Sequence, residues 1–444
     1  MFRRILIANR GEIALRILRA CRELGVEAVV AHSQPDTDSL PVRLADDAIC
    51  VGPGPAGRSY LNIPNLISAA LIKECEAVHP GYGFLAESKF FAEICRRYGV
   101  TFIGPSSEVI AQMANKVEAR EAMSRHGLSV LPGTHEPVGT IEVAVRAARE
   151  IGYPVMIKAS GGGGGRGMHL AVDENALVQS FTNAQRESRA AFASDELYLE
   201  KFLTSCRHVE VQVLADGNRA IHLGDRDCSI QRRHQKIIEE APSPNLAHKT
   251  RAKIGEDAVR GAEGVGFTSA GTLEFLVDDE GRHFFLEMNT RVQVEHGITE
   301  MITGVDIVKS QILIAAGEMP ELDQESIKLD GHAIECRVNA ESGPEFRPAT
   351  GAVGALQLPG GPGIRVDTHL FAGYNLPAHY DSLVAKIMAW GRNREEAMDR
   401  MRRALDETVI EGIPTTIPYL RTVLRDSLFL TGGVHTDFVE GLNT

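Results

Sequence analysis

The first part of the chain alternates between strand-like and helix-like patterns of apolar residues. Residues 4–8 are typical of a buried strand, residues 12–24 have the spacing of an amphipathic helix, and residues 26–32 are again strand-like. Further elements continue the alternation: a strand at 77–79, a helix at 90–98 and a strand at 101–103. These elements predict an α/β domain with a parallel sheet. Its first turn, residues 9–12, lacks the glycine fingerprint of a dinucleotide site, which argues against a nicotinamide cofactor.

A glycine-rich hairpin is predicted in the middle of the chain. Strand patterns at 154–159 and 168–172 flank five consecutive glycines, residues 161–165. The run formally contains G-x-G-x-x-G, but that fingerprint needs a helix after the turn, whereas a strand pattern follows here. Such a tip is favoured where bare backbone N–H groups approach polyphosphate closely, and a flexible surface loop is the alternative. Lys116 and Lys158 add cations that could reach phosphate oxygens.

A second hairpin is predicted from a strand at 271–277 and a returning strand at 282–288. If the loop consists of residues 280–281 alone, Glu274 lies directly across from Glu287. Facing carboxylates destabilise a sheet, and a cation between them reverses that effect. We therefore expect a divalent metal at this pair.

The run E-M-N-T-R-V-Q-V-E carries polar side chains at alternate positions: Glu287, Asn289, Arg291, Gln293 and Glu295. In an extended chain these side chains share one face. Carboxylate and amide oxygens suit Mg²⁺, and a guanidinium suits a small planar oxyanion such as bicarbonate. The alternative is a surface strand whose charges pair with one another.

Composition indicates a globular protein of about three domains, with 444 residues of which 43% are hydrophobic. The net charge of −12 argues against a general nucleic-acid binder. The seven cysteines contain no Cys-x-x-Cys, so we expect neither a disulfide framework nor a zinc knuckle, and we expect a reducing cytoplasm. No apolar stretch is long enough for a signal peptide or a membrane span.

Several longer motifs together resemble the biotin carboxylase family of ATP-grasp ligases. The resemblance extends over essentially the whole chain, and motifs of this length are very specific. The motifs are I-A-N-R-G-E-I-A (7–14), H-P-G-Y-G-F-L (79–85), Y-P-V-M-I-K-A-S-G-G-G-G-G-R-G-M (153–168), E-K-F-L (200–203), R-H-V-E-V-Q (207–212), R-D-C-S-I-Q-R-R-H-Q-K (226–236), E-M-N-T-R-V-Q-V-E-H (287–296), E-C-R-V-N (335–339) and H-Y-D-S-L (379–383).

The resemblance implies an α/β and α+β molecule with the ATP-grasp fold. We expect a Rossmann-like N-terminal domain over 1–115, an ATP-grasp region over 116–330 that includes a mobile lid at about 130–203, and a β-rich C-terminal domain over 331–444. The implied reaction makes carboxyphosphate from ATP and bicarbonate and carboxylates biotin on a separate carrier protein.

Site residues follow from the same resemblance. ATP is expected to contact Lys116, Lys158, Gly163, Gly164, Gly165, Glu200, Lys201, Phe202, Leu203, His208, Gln231, His234, Glu274, Leu276 and Glu287. Two Mg²⁺ or Mn²⁺ ions are expected on Glu274, Glu287 and Asn289. Bicarbonate and biotin are expected to contact Lys236, Arg291, Gln293, Val294, Glu295, Arg337, Tyr82 and Asp381.

Among these, four residues are expected to be catalytic: Lys236, Arg291, Glu295 and Arg337. Glu295 would take the proton of bicarbonate, and Arg337 would stabilise a biotin enolate. The family usually has His-Pro after this glutamate, whereas this chain has His296-Gly297. The more flexible glycine leaves open how firmly Glu295 is held.

The expected partners are a biotin carboxyl carrier protein, carboxyltransferase subunits and a second copy of the chain, with neither nucleic acid nor membrane. No lysine lies in a Met-Lys-Met pattern, which is why we expect biotin on another protein. The expected role is the first half-reaction of acetyl-CoA carboxylase. The alternatives are a subunit of another acyl-CoA, pyruvate or urea carboxylase, a different ATP-grasp ligase, or an inactive ATP-binding regulator.

Overall fold

The computed structural model of the protein describes residues 1–159, 168–192, 196–233, 235–318 and 323–441. Within these ranges, no helix is both long enough and apolar enough to cross a membrane.

The N-terminal part is a five-stranded parallel sheet with the order β3-β2-β1-β4-β5. Its elements are β1 (Arg4–Ile7), α1 (Gly11–Glu23), β2 (Glu27–Ser33), α2 (Leu40–Leu44), β3 (Asp47–Gly52), α3 (Ile63–Ile72), β4 (Ala77–His79), α4 (Lys89–Arg97), β5 (Thr101–Phe102) and α5 (Ser107–Ala114). Ile5 and Ile7 of the central strand pack into one apolar cluster and Leu6 into another, so both faces of the sheet are covered. The predicted parallel α/β domain is confirmed.

A small antiparallel sheet with its own core follows. Its elements are α6 (Lys116–Arg125), α7 (Ile141–Ile151), β6 (Val155–Ala159), β7 (Met168–Ala171), α8 (Glu174–Phe192) and β8 (Leu197–Lys201), with the strand order β7-β6-β8. The β6–β7 hairpin is the predicted one, and its last pair is Lys158 with Met168. The predicted tip residues Gly163, Gly164 and Gly165 lie outside the described residues, as does His234.

The remainder of the chain is organised around one eight-stranded antiparallel sheet. Its order is β13-β12-β9-β10-β11-β14-β21-β19, so it continues from the middle of the chain into the C-terminal part. The elements are β9 (Arg207–Asp216), β10 (Ala220–Arg232), β11 (Gln235–Ala241), α9 (His248–Gly264), β12 (Thr268–Val277), β13 (His283–Asn289), α10 (His296–Thr303), α11 (Ile307–Ala315), β14 (His332–Asn339), β15 (Glu341–Ser342), β16 (Arg347–Pro348), β17 (Gly351–Ala352), β18 (Leu356–Gln357), β19 (Ile364–Thr368), β20 (Asn375–Leu376), β21 (Leu383–Gly391), α12 (Arg394–Glu407), β22 (Val409–Ile410), α13 (Ile417–Val423), α14 (Ser427–Thr431) and α15 (Phe438–Gly441).

The loop between β12 and β13 differs from the assumed two-residue loop. The Asp278 N–H donates to the Arg282 carbonyl at 3.0 Å, which leaves residues 279–281 as a three-residue loop. Gly281 has φ = 78°, the left-handed conformation in which such a loop closes and which glycine adopts without strain. The assumption of a two-residue loop was therefore wrong.

A β-bulge nevertheless restores the predicted register. Phe275 pairs with Phe285, and the next pair is Glu274 with Glu287, so Leu286 is an extra residue on β13. The predicted facing of Glu274 and Glu287 is confirmed, although through a longer loop and a compensating bulge.

The segment after β13 is not the extended strand that alternation predicted. β13 ends at Asn289, and residues 290–295 bend into a turn before α10. The turn closes because the Gln293 carbonyl accepts the His296 N–H at 3.3 Å. The extended conformation was therefore a wrong prediction beyond Asn289.

Candidate active site

One cavity of about 910 Å³ lies between the N-terminal loops, the small sheet and the eight-stranded sheet. It brings together all the predicted site residues that the structure describes. These are Tyr82, Lys116, Lys158, Glu200, Lys201, Phe202, Leu203, His208, Gln231, Lys236, Glu274, Leu276, Glu287, Asn289, Arg291, Gln293, Val294, Glu295, Arg337 and Asp381.

The candidate metal ligands lie at the edge of the large sheet. Glu274 is buried, and its carboxylate accepts hydrogen bonds from Asn289 Nδ2 at 2.9 Å and Gln293 Nε2 at 2.8 Å. Burial and the facing Glu274 carboxylate raise the pKa of Glu287, and Lys116 opposes the shift. Two carboxylates and the Asn289 amide oxygen are hard donors that match Mg²⁺ or Mn²⁺. A divalent cation would remove the like-charge repulsion, so this donor set fits a metal.

A half-buried lysine holds three buried carboxylates together beside that edge. Lys236 Nζ lies 2.5 Å from Glu210, 2.9 Å from Glu274 and 2.7 Å from Glu295. Arg337 Nη2 donates to the other oxygen of Glu295 at 2.9 Å. Burial alone would raise the pKa of Glu295, but Lys236 and Arg337 hold it well below its usual value. Glu295 is therefore ionised, as a proton acceptor must be.

Arg337 has a second buried partner. Its Nε donates to Glu239 Oε1 at 2.6 Å, and Glu239 is fully buried on β11. The guanidinium is thus fixed between Glu239 and Glu295 and faces the cavity.

Arg291 and Gln293 form the adjoining wall. Arg291 Nε donates to Glu87 Oε2 at 3.0 Å, and its Nη2 donates to Asn289 Oδ1 at 3.1 Å. Gln293 Oε1 accepts from Arg226 Nη2 at 3.0 Å. The cations Lys236, Arg291 and Arg337 therefore surround a space suited to a small anion.

The cavity is also lined by further lysines and apolar groups. Lys158 contacts Glu200, and Lys201 Nζ donates to the carbonyls of Gly152 at 2.9 Å and Tyr153 at 2.8 Å. Burial and nearby Lys158 lower the pKa of Lys116. Positive charge from Lys116, Lys158 and Lys201 at this part of the cavity favours a polyanion. The surrounding apolar side chains are Met156, Met168, Leu203, Leu276 and Leu286.

Several residues that hold this site were not predicted individually. Arg226 has no exposed surface and donates to Glu210 at 2.5 Å and to Gln212 at 2.9 Å. Lys386 is also fully buried, on β21. For Lys386 the available signal was a charged residue flanked by apolar ones inside a strand, which must find a partner because burial of an unpaired charge is costly. Arg226 lies between two aspartates in the sequence, so it carried no such signal.

Similarity to known families supports an ATP-dependent class of enzyme. Residues 115–323 match the profile of the carbamoyl-phosphate synthase L chain, ATP binding domain. Together with the lysine-rich cavity and the candidate metal edge, this match defines an ATP-grasp enzyme. Residues 1–110 and 335–441 match the biotin carboxylase N-terminal and C-terminal domains.

Full-length relatives give the more particular assignment. The chain is 52% identical to the biotin carboxylase of Pseudomonas aeruginosa over 99% of this chain and 98% of that protein. The chain belongs to the biotin carboxylase family, which confirms the resemblance found in its motifs.

Solved structures agree with this assignment. The biotin carboxylase of Campylobacter jejuni, in a β-γ-ATP complex, has a TM-score of 0.97 at 44% identity, with 99% of each chain covered. The biotin carboxylase domain of Hydrogenobacter thermophilus 2-oxoglutarate carboxylase has a TM-score of 0.96 at 47% identity, covering 99% of this chain and 97% of that one. That domain was solved as a dimer with MgADP, ADP and bicarbonate.

Proposed function

We propose that this enzyme uses ATP and bicarbonate to carboxylate a ureido nitrogen of biotin by way of carboxyphosphate. The observation that carries the proposal is the cluster in which the buried Glu295 lies between Lys236 and Arg337, beside the facing carboxylates of Glu274 and Glu287. A proton acceptor, anion-binding cations and metal ligands are thereby within one site.

ATP would occupy the lysine-rich end of the cavity. Lys116 and Lys158 would compensate phosphate charge, and the apolar group that includes Leu276 would contact the base. Glu274, Glu287 and Asn289 would hold two Mg²⁺ or Mn²⁺ ions, which when bound neutralise charge on the phosphates. The solved relative that contains MgADP and bicarbonate supports this arrangement.

Bicarbonate would lie among Lys236, Arg291 and Gln293, with the Val294 N–H as a further donor. One bicarbonate oxygen attacks the γ-phosphorus and ADP leaves, while the bicarbonate proton passes to a Glu295 oxygen. A carboxylate with a strongly lowered pKa is a weak base. The bound anion offsets this because it shares the positive charge of Lys236 and Arg337, which raises the pKa of Glu295 when the base is needed.

Biotin would react at the side of the cavity formed by Arg337, Tyr82 and Asp381. Carboxyphosphate would break into CO₂ and phosphate, and the released phosphate would take the proton of the ureido nitrogen. The negative charge that deprotonation leaves develops on the ureido oxygen, where the preorganised Arg337 guanidinium stabilises it until the nitrogen bonds to the CO₂ carbon.

The proposed context is the first half-reaction of acetyl-CoA carboxylase in the cytoplasm. The partners would be a biotin carboxyl carrier protein, carboxyltransferase subunits and a second copy of the chain. The dimer reported for the Hydrogenobacter domain supports the homodimer, and seven free cysteines are compatible with a reducing compartment. The same chemistry would serve another acyl-CoA, pyruvate or urea carboxylase.

The proposed domain limits are 1–115, 116–330 and 331–444, with residues of about 130–203 as a lid over ATP. Profile matches that end at 110, begin at 115 and resume at 335 support the limits. The separate apolar core of the small sheet, around Ile157 and Phe181, supports a unit that moves as a body.

The test is ADP release from MgATP alone, with bicarbonate, and with bicarbonate plus free biotin. We expect ADP release to depend on bicarbonate and to rise with biotin, with carboxybiotin as the product. ADP release that ignores bicarbonate but responds to another carboxylate or amine would contradict the proposal and favour a different ATP-grasp ligase.

A further inference from the structure

The turn that carries Glu295 has no strand partner to fix it. Residues 290–295 lie between the end of β13 and the start of α10, so sheet hydrogen bonds do not set the direction of their peptide groups. Two fully buried side chains outside the turn hydrogen-bond to successive carbonyls within it. His296 bonds to the Gln293 carbonyl, and Lys386 bonds to the Val294 carbonyl.

His296 holds the first of these carbonyls. Its Nδ1 lies 2.8 Å from the Gln293 carbonyl oxygen, and because a carbonyl only accepts, Nδ1 carries the proton. A trans peptide directs its N–H opposite to its carbonyl, so the Val294 N–H points away from His296. Val294 lines the cavity, and among the described residues none accepts a hydrogen bond from its N–H.

Lys386 holds the next carbonyl. Its Nζ donates to the Val294 carbonyl at 2.7 Å and lies 3.3 Å from Glu12 and 3.7 Å from Asp367. The two carboxylates compensate the buried ammonium, so it persists as a charged donor. Glu12 also accepts the Tyr82 hydroxyl, which connects the turn to the opposite wall of the cavity.

Gly297 of α10 packs closely against β21. An ideal Cβ on Gly297 would lie 2.4 Å from Met388 Sδ, so a larger residue here would have to displace the Met388 side chain. His296 and Lys386 lie on those two elements. The departure from His-Pro is thus accommodated by close packing, which limits the freedom of the glycine backbone.

We propose that His296 and Lys386 are positioning residues that fix the two peptide groups on either side of Val294, and so direct the Val294 N–H and the Glu295 carboxylate at the bicarbonate. The inference rests on the proposed function for its substrate. The inference goes beyond the proposed function because it assigns the orientation of the turn to two side chains that do not touch the reacting atoms.

The test compares Lys386→Met and His296→Leu with His296→Asn, whose amide nitrogen can replace Nδ1 as the donor. We expect the first two variants to lower kcat for bicarbonate-dependent ADP release by about 100-fold, the order caused by a misplacement of about 1 Å. KM for MgATP should stay within about twofold, because the ATP end of the cavity is untouched. His296→Asn should stay within about tenfold of wild type in kcat. Lys253→Met, an exposed lysine on α9 with half its side chain accessible, is the matched control.

Two further measurements separate orientation from folding and from the proposed function. The double variant Lys386→Met/Glu12→Gln removes one buried positive and one buried negative charge, so the charge balance is restored. We expect it to fold but to keep the low kcat of Lys386→Met, because the Val294 carbonyl still lacks its donor. Amide hydrogen exchange over residues 290–296 should be faster in Lys386→Met and His296→Leu than in His296→Asn or Lys253→Met. Wild-type exchange in the first two folded variants, or wild-type kcat, overturns the inference. Wild-type enzyme without bicarbonate-dependent ADP release would instead overturn the proposed function, and the exchange data would still decide the inference.

Discussion

Replacing Glu287 with glutamine removes one of two facing charges while keeping the shape of the side chain. Facing residues of an antiparallel pair have Cβ atoms about 5 Å apart. Two unit charges at that separation repel by roughly 3 kcal/mol at an effective dielectric constant of about 20, before Lys236 and Lys116 offset part of it. Without metal, the variant should therefore equal or exceed the wild type in stability, by at most about 3 kcal/mol.

With metal bound, the wild type should instead be more stable than Glu287→Gln. A ligand at one hundred times its Kd stabilises the folded state by about 2.7 kcal/mol, and Glu287→Gln should lose most of that gain. MgATP-dependent turnover should fall by about 10²- to 10³-fold, as when other electrostatic groups at a transition state are removed. Urea unfolding in EDTA and in saturating MgCl₂ measures the first effect, and ADP release measures the second.

A matched control is Glu256→Gln, an exposed carboxylate on α9. It should leave turnover and the metal-dependent gain in stability unchanged. Near-normal turnover in Glu287→Gln, or an undiminished gain in stability from MgCl₂, would refute the assignment of Glu287 as a metal ligand.

Three further predictions concern Arg337 and His369. Arg337→Met should lower biotin carboxylation at least about 100-fold but biotin-independent ATP cleavage less than about tenfold, since Lys236 still holds Glu295. Glu295→Gln should suppress both activities. If both variants lost the two activities in parallel, this division of roles would be contradicted. The same Arg337→Met should cost about 3–5 kcal/mol of stability in urea unfolding, because it leaves Glu239 buried without its counter-ion. Burial lowers the pKa of His369 from 6.5 to about 3, so the unfolded chain binds its proton first and stability falls as pH drops below about 6.5. Between pH 7 and pH 5 the wild type should lose about 2 kcal/mol more of its free energy of unfolding than His369→Phe does. An equal loss in both proteins would contradict the buried neutral imidazole.

The metal edge illustrates how far sequence patterns lead. The facing of Glu274 and Glu287 follows from two strand patterns, yet the assumed loop was one residue too short and the bulge at Leu286 compensated for it. A bulge adds one residue to one strand only, and the two strand patterns do not identify that residue. The position of the pair was predictable, but the path of the chain between its members was not.

For the residues around the proton acceptor Glu295, the sequence predicted the members of the group but not how the chain brings them together. Alternation correctly grouped Arg291, Gln293 and Glu295, but they meet through a turn and not along an extended face. Arg226, which donates to Gln293, and Lys386, which donates to the Val294 carbonyl, come from strands distant in sequence, so only the order of strands in the sheet brings them to this turn. Lys386 appears in the sequence as a single charge among apolar residues, which indicates that a partner exists without identifying it, whereas Arg226 lies between two aspartates.

The measurement that tests the central claim most directly follows oxygen from bicarbonate. If a bicarbonate oxygen attacks the γ-phosphorus, phosphate released from [¹⁸O]bicarbonate and unlabelled ATP must retain one bicarbonate oxygen, with and without biotin. We predict this oxygen transfer in the wild type. In Glu295→Gln we predict that both the oxygen transfer and ADP release are lost. Phosphate that carries only solvent oxygen while ADP is still formed would contradict activation of bicarbonate by ATP at this site.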